Sequence, residues 1–243
     1  MYEASGNSNT SHPALRTLPP AFHPPVHDDS QTVEELLPFT VRLVGDAAGL
    51  QKAVAIRHSA YARHLPEFAE TLKIAEPADY EDGVVILLAE SKLDGAALGT
   101  MRIHTNAYKP LPLESSVELP QPLHVATLAE ATRLAVTRDR TGQLVKTVLF
   151  KAYFQYCQTN GIDWLVITGR APVDRQYDRL MFADVFPELG YIPLKHVGNL
   201  PHRIMYFSVS GAKQLWGSVN HSLFDFIFNT NHPDLHLTAT TRN

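Results

Sequence analysis

From Phe39 onward, apolar and polar positions fall into blocks that read as alternating strands and helices. Phe39-Thr-Val-Arg-Leu-Val alternates residue by residue, the period of a strand with one face buried. Asp46 follows where a helix N-cap belongs, and Leu50, Val54, Ile56, Tyr61 and Leu65 predict a helix over 48–64. Val84-Val-Ile-Leu-Leu-Ala is a buried strand and Ala97-Leu-Gly-Thr-Met-Arg-Ile-His a second, joined as a hairpin through Asp94-Gly95. Pro110, Pro112, Pro120 and Pro122 mark a long irregular connection to a strand over Leu128-Ala-Glu-Ala-Thr-Arg-Leu-Ala-Val. A polar turn, Arg138-Asp-Arg-Thr-Gly, precedes a helix carrying Leu144, Val148, Leu149, Ala152 and Tyr156, which stops at Asn160-Gly161. Trp164-Leu-Val-Ile-Thr is a strand, Arg175 to Val185 a helix, and Gly190-Tyr-Ile-Pro-Leu and Arg203-Ile-Met-Tyr-Phe-Ser-Val two further strands. One last amphipathic helix is predicted from Ala212 to Phe228, with Leu215, Trp216, Val219, Leu223, Phe226 and Ile227 on its apolar side.

Helices interleave with strands in this order, which predicts an α/β fold: a mixed central sheet flanked by helices. Residues 1–38 depart from it. Pro13, Pro19, Pro20, Pro24, Pro25 and Pro38 stand among Ser, Asn and His with neither period, so an extended, weakly ordered arm is expected there. His12, His23 and His27 in that arm lack metal-ligand spacing. The predicted organisation is an arm over 1–38, one domain over 39–209, and a C-terminal amphipathic helix and tail over 210–243.

Composition narrows the classes. Hydrophobic residues make up 44% of 243, enough for a sizeable core, and 19% charged is too few for a disordered or coiled-coil chain. A net charge of -4 speaks against a general nucleic-acid binder. The single cysteine, Cys157, excludes an internal disulfide and a Cys-rich zinc module. No apolar run reaches the ~18 residues of a membrane span and no signal-peptide core opens the chain, so a cytoplasmic protein without an integral membrane segment is expected. Ser208 and Ser210 lack a nucleophile-elbow context, and His196 and His202 lack a third ligand at zinc spacing, so no metal is expected.

The strand–polar-turn–helix unit at 128–159 resembles the GNAT acyltransferase superfamily, in which amides of that turn face the pyrophosphate of coenzyme A. Here the turn is Arg138-Asp139-Arg140-Thr141-Gly142-Gln143, with one glycine. A narrower resemblance, over residues 39–209, rests on four spaced elements. These are Arg57-x-x-x-Tyr61, the acidic Asp79-Tyr80-Glu81-Asp82, Gly99-Thr-Met-Arg102, and Glu130-Ala-Thr-Arg133-Leu. In order and interval they are similar to the autoinducer synthases and their relatives, the N-acyl amino acid synthases. Autoinducer synthases carry Phe where Tyr61 stands and a Trp soon after, which this chain lacks. The resemblance therefore implies an N-acyl amino acid synthase with a single GNAT-like domain. It implies transfer of a fatty acyl group from an acyl-carrier-protein phosphopantetheine thioester to the α-amine of an amino acid. The carrier and a small amino acid are the expected partners, acyl-carrier protein is the donor substrate with acyl-CoA as the alternative, and no bound cofactor is implied. The alternatives are an acyl-homoserine-lactone synthase using S-adenosylmethionine, and a CoA-dependent acetyltransferase.

Such aminolysis needs a group to take the amine's proton and a donor for the oxyanion. Glu130, inside a nearly apolar strand, is the candidate for the first, with Arg102 and Arg133 beside it as catalytic candidates. Strand alternation puts Glu130, Thr132 and Leu134 on one face and Ala131, Arg133 and Ala135 on the other. A cluster of Arg57, Asp82, Arg102, Glu130 and Arg133 is predicted, with Tyr61 and Asp79 also supporting the site. The amide of Ala135 or Val136 is the oxyanion candidate. Helix-start amides of Gly142, Gln143 and Leu144 are expected to take the pantetheine phosphate. Arg133, Arg138, Arg140, Lys146 and Lys151 are expected to form a basic face for an acidic carrier, and Phe150, Phe154, Trp164, Val166 and Met181 to line an acyl tunnel.

Overall fold

Asp46 caps the first helix as its position predicts: its Oδ1 accepts from the Gly49 amide at 2.7 Å. The computed structural model describes residues 32–238, so the prolines from Pro13 to Pro25 and His12, His23 and His27 lie outside the described residues. Strands are β1 (Val33–Glu34), β2 (Phe39–Leu43), β3 (Val84–Ser91), β4 (Ala97–Thr105), β5 (Leu128–Val136), β6 (Trp164–Gly169), β7 (Ala183–Asp184), β8 (Ile192–Leu194), β9 (Leu200–Ser208), β10 (Thr230–Asn231) and β11 (Leu235–His236). Helices are α1 (Ala47–Ala62), α2 (Pro66–Glu70), α3 (Arg140–Thr159), α4 (Asp174–Arg179), α5 (Ala212–Ser218) and α6 (Phe224–Phe228).

The main sheet runs β11-β2-β3-β4-β5-β6-β9-β7, with β8 also on β9. β11 with β2 and β5 with β6 are parallel, and the other neighbours antiparallel. The predicted mixed sheet flanked by helices is thus the fold. Its two faces follow from alternation. Leu87, Met101, Ile103 and Ala129 face the core that holds Val145, Val148, Leu149 and Tyr153 of α3. Ile86 and Leu88 face Ala53 of α1, and Arg102, in register with Ile86, shares that face. The functional polar residues therefore project toward α1, while the α3 side is apolar.

Two predicted helices come out differently. The one expected from Arg175 to Val185 ends at Arg179, and Met181 at φ 65° turns the chain into β7. Arg203 on β9 explains the turn: its guanidinium binds Asp178 on α4 and Asp184 on β7 at 2.8 Å each. The C-terminal helix expected over 212–228 is broken between α5 and α6, with Asn220 at φ 49°. The break lets Phe228 meet the edge of the buried Trp216 ring, 6.0 Å between centroids. Apolar periodicity continues across it because both short helices cover the same core.

The ends of the domain also extend past the expected boundaries. β10 pairs with β1 and β11 adds to the sheet beside β2, so residues from Val33 belong to the folded unit rather than to an arm. Leu37 is buried, its amide on Asp234 Oδ2 at 2.8 Å. Lys151, expected on a basic surface, is instead fully buried. Its Nζ donates to the Phe226 and Thr230 carbonyls at 2.6 and 2.5 Å and meets His232 Nδ1 at 2.9 Å. Burial draws this amine down to about 8. It fastens the C-terminal segment onto α3. No helix among the described residues is long and apolar enough to cross a membrane.

Candidate active site

The site begins with one extra residue. Arg102 pairs with Thr132 and Thr100 with Ala135, so two steps along β4 span three along β5. That is a bulge, and Arg133 sits in it at φ 53°, a conformation that costs a non-glycine residue free energy. The bulge overturns simple alternation: Arg133 does not face away from Arg102 but joins it.

Both arginines converge on Glu76. Arg133 Nε and Nη2 lie 2.8 and 2.7 Å from its two oxygens, and Arg102 Nη1 lies 3.0 Å from Oε2. Asp79, its side chain wholly buried, takes Arg57 at 3.0 Å and Arg102 at 2.9 Å. Asp79 also accepts the Glu76 amide at 2.8 Å, which locks the short turn carrying both acids. Burial alone would raise these two carboxyls, but the Arg133, Arg102 and Arg57 guanidiniums outweigh it and hold both below their ordinary values. The cluster is therefore Arg57, Glu76, Asp79, Arg102 and Arg133. Asp82, expected in it, is exposed and stands outside. Glu130, also expected in it, forms no hydrogen bond or ion pair with those arginines. Tyr61 packs on Phe68 at 5.8 Å, its hydroxyl pushed up by burial, and the Arg133 guanidinium lies 5.1 Å over the Phe68 ring.

Glu130 lies opposite His104 on β4. It is fully buried, with Oε2 accepting the Leu113 amide at 3.1 Å and Oε1 3.3 Å from His196 Nε2. His104 Nε2 meets Arg102 Nε at 3.0 Å and Thr132 Oγ1 at 3.1 Å. Burial and the Arg102 charge bring the His104 imidazole down to about 3, so it is neutral. Arg102 can only donate, hence Nε2 is the acceptor nitrogen and the proton sits on Nδ1. A cavity of about 320 Å³ opens here, walled by Glu76, Arg102, His104, Arg133, His196 and Lys109 among others.

Beside the cavity the sheet parts. β5 and β6 are in register only from Leu128/Trp164 to Ala131/Ile167, and Thr132–Val136 have no partner on β6. On its other edge β5 stays with β4. The Thr137 amide donates to the Leu98 carbonyl at 2.9 Å, so the alternation of an antiparallel ladder turns the Ala135 amide toward β4 and the Val136 amide away. Of the two oxyanion candidates, Ala135 is thus committed to the ladder. Val136 turns its backbone to the open side, where Arg63 takes its carbonyl at 3.0 Å.

A bulged strand, a parted sheet and an arginine-lined cavity coincide with a match to a family model. The model described as N-acyl amino acid synthase FeeM covers residues 52–201, more than half of the chain. The chain belongs to the N-acyl amino acid synthase family. It is accordingly an acyltransferase. Among solved structures it is similar to FeeM, an N-acyl amino acid synthase from uncultured soil microbes, at TM-score 0.54 and 18% identity, covering 74% of this chain and 96% of that one. It is also similar to BjaI, a CoA-dependent acyl-homoserine lactone synthase with SAM and isopentyl-CoA, at TM-score 0.53 and 16% identity, covering 80% and 93%. At such identities the likeness is one of fold. No curated protein matches the chain in sequence.

In this family member the start of α3 is not the row of free amides that was expected. Asp139 caps it, accepting the Gly142 amide at 2.8 Å, and Gln143 and Leu144 lie within the helical ladder. Gly142 serves close packing instead: a Cβ there would stand 2.0 Å from the Thr137 carbonyl oxygen. Arg138 and Arg140 are exposed at this corner, with Arg175 and Arg179 exposed on α4. Lys146 is half-buried and holds the side chains of Gln143 and Gln176. The expected tunnel residues pack as core: Phe150 against Phe182 and Trp216, Phe154 against Phe228, and Trp164 against Tyr206. Glu76 and His196 were not among the expected site residues. For the first, the one signal in the sequence is the Glu76-Pro-Ala-Asp79 spacing of a short turn that closes on itself.

Proposed function

We propose that the protein moves a fatty acyl group from the phosphopantetheine thioester of an acyl carrier protein to the α-amine of an amino acid. The products are an N-acyl amino acid and the free carrier thiol. The observation that carries this reading is the loss of pairing between β5 and β6 beyond Ala131 and Ile167, next to the cavity. Backbone groups left unpaired at a parted strand bind an extended amide-bearing chain as a neighbouring strand would, and the pantetheine arm is such a chain. Its thioester then lies beside Val136, whose amide is turned to the open side as a donor for the developing oxyanion. The charged walls of the cavity suit a polar acceptor, and its modest volume a small one. Exposed Arg138 and Arg140 supply a cationic corner for an acidic carrier. A carrier-borne substrate supports a cytoplasmic reading for this reaction.

The test supplies the purified chain with acyl-loaded carrier or acyl-CoA, each with the twenty amino acids or S-adenosylmethionine, and reads products by mass spectrometry. An N-acyl amino acid from the loaded carrier is expected. A homoserine lactone, amide formed only from acyl-CoA, or no amide at all would each overturn the reading.

A further inference from the structure

Glu130 is sealed inside the fold, yet one of its oxygens is left without a hydrogen bond. Oε1 has no partner, and neither nitrogen of His196, 3.3 Å away, has one either. Partnerless buried polar atoms are rare in folded proteins, and Glu130 Oε1, both ring nitrogens of His196 and Nδ1 of His104 gathered beside one cavity call for a ligand or a chemical role. Glu130 is not in the cavity wall, whereas His196 is. The carboxylate therefore reaches the cavity only through the imidazole.

The neighbouring charges do not supply the missing partner. Arg102 and Arg133 are held by Glu76 and Asp79, and Arg133 otherwise gives His196 only a bond to its backbone carbonyl, at 3.2 Å. His104, from β4, is neutral and turned to Arg102 and Thr132. His202, from β9, is lowered by burial and bonds the Leu200 carbonyl. Lys109, across the cavity, is paired with Glu81.

We propose that His196 is the catalytic base of the acyl transfer and that Glu130 is its positioning residue, which rests on the N-acyltransferase reading above. With the Nε2 proton turned to Glu130, the Nδ1 lone pair is free to take a proton. The acceptor nitrogen attacks the thioester carbonyl carbon, the C–N bond forms, and that nitrogen's proton passes to His196 Nδ1. The C–S bond then breaks, the electron pair leaves with sulfur, and the proton moves from Nδ1 to the thiolate. Base and carboxylate end as they began. The products are one amide and one thiol.

The experiment compares the full chain with His196→Asn, Glu130→Gln and the double variant, using loaded carrier and the amino acid accepted by the unaltered chain. His196→Asn is expected to lower kcat by about 10²–10⁴-fold with KM for the carrier nearly unchanged, the range for loss of a general base. Because the two act as a unit, Glu130→Gln is expected to lower kcat alone but to add less than about threefold once His196 is gone. Losses that multiply would mean that Glu130 acts independently, and would overturn the pair. So would a His196→Asn variant within threefold of the unaltered kcat. Added imidazole should partly restore a folded His196→Gly variant, and restoration should fail when Glu130→Gln is also present; imidazole without effect on folded His196→Gly counts against the base. An unaltered chain that forms no amide overturns the acyltransfer reading instead, so the two failures are distinct.

Discussion

Arg133 reaches back across 57 residues to grip Glu76 with two nitrogens, Nε 2.8 Å from Oε2 and Nη2 2.7 Å from Oε1. The grip exists because the bulge at Arg133 turns the side chain to the α1 face of the sheet. A positive φ on an arginine is retained only when its surroundings over-determine it, and here a two-pronged ion pair and the Phe68 ring do so. The site and the sheet are thus coupled: the same residue that displaces β5 anchors the acidic turn over the cavity.

The acidic turn is expected to set the acid stability of the domain. Three guanidiniums share two carboxylates, so Glu76→Gln leaves an excess of buried positive charge and should cost about 3 kcal/mol, the lower end for breaking a buried pair. Both carboxyls sit below their ordinary values of 4.5 and 3.8 in the fold. Their contribution is therefore complete above the unfolded values and lost as pH falls through the lower folded ones. Urea midpoints from pH 7 to pH 3 should drop steeply below about pH 5 in the unaltered chain and more shallowly in Glu76→Gln. Parallel curves would remove Glu76 from the acid transition.

Much of this site was legible as residue types in order, and what was not has identifiable causes. Arg57, Arg102 and Arg133 stand together, but on Asp79 and Glu76 rather than on the Asp82 and Glu130 that were expected. Arg133 was assigned to the wrong face because a bulge at a non-glycine residue leaves no mark in a period-two pattern. Glu76 stands in a mixed stretch whose turn resembles solvent-facing filler, and only the turn's closure by Asp79 shows that it points inward. His196 is brought to Glu130 by the chain between β8 and β9, a contact across 66 positions that no local pattern carries. Lys151 looked like part of a basic helix face because its partners, Phe226, Thr230 and His232, lie more than 70 residues on.

The single glycine in the first turn of α3 should prove structural. An added methyl at Gly142 would collide with the Thr137 backbone oxygen at 2.0 Å and push apart the turn that Asp139 closes. Overpacking of this kind costs about 1–3 kcal/mol, which for a domain of this length lowers the melting temperature by roughly 2–12 °C. Calorimetry of Gly142→Ala reads it directly. An unchanged melting temperature with a raised KM for the acyl donor would return this glycine to phosphate binding.

Arg138 and Arg140 are exposed and next to the parted strands, where a docked carrier would deliver its arm. Changing both to Gln is expected to raise KM for the loaded carrier with little effect on kcat, and to flatten the dependence of kcat/KM on ionic strength. The salt series is the decisive part, since a general loss of folding would lower kcat as well. A salt profile identical to that of the unaltered chain would move the docking surface elsewhere.

The last prediction separates two adjacent amides. Ala135 spends its N–H on β4, whereas Val136 turns its own to the open side of β5, the position from which an oxyanion would be held. Proline removes an N–H without removing the residue, and a strand tolerates it where that N–H is outside the ladder. Val136→Pro should therefore fold nearly as well as the unaltered chain yet lose about 10²–10³-fold in kcat, the range for one oxyanion donor. Ala135→Pro should instead lose stability first, because it breaks a ladder bond in the middle of the sheet. Paired urea unfolding and single-turnover acyl transfer distinguish the two. If Val136→Pro turns over normally, the oxyanion is held by another donor, and His104 Nδ1–H, neutral and partnerless in the cavity wall, is the next group to remove.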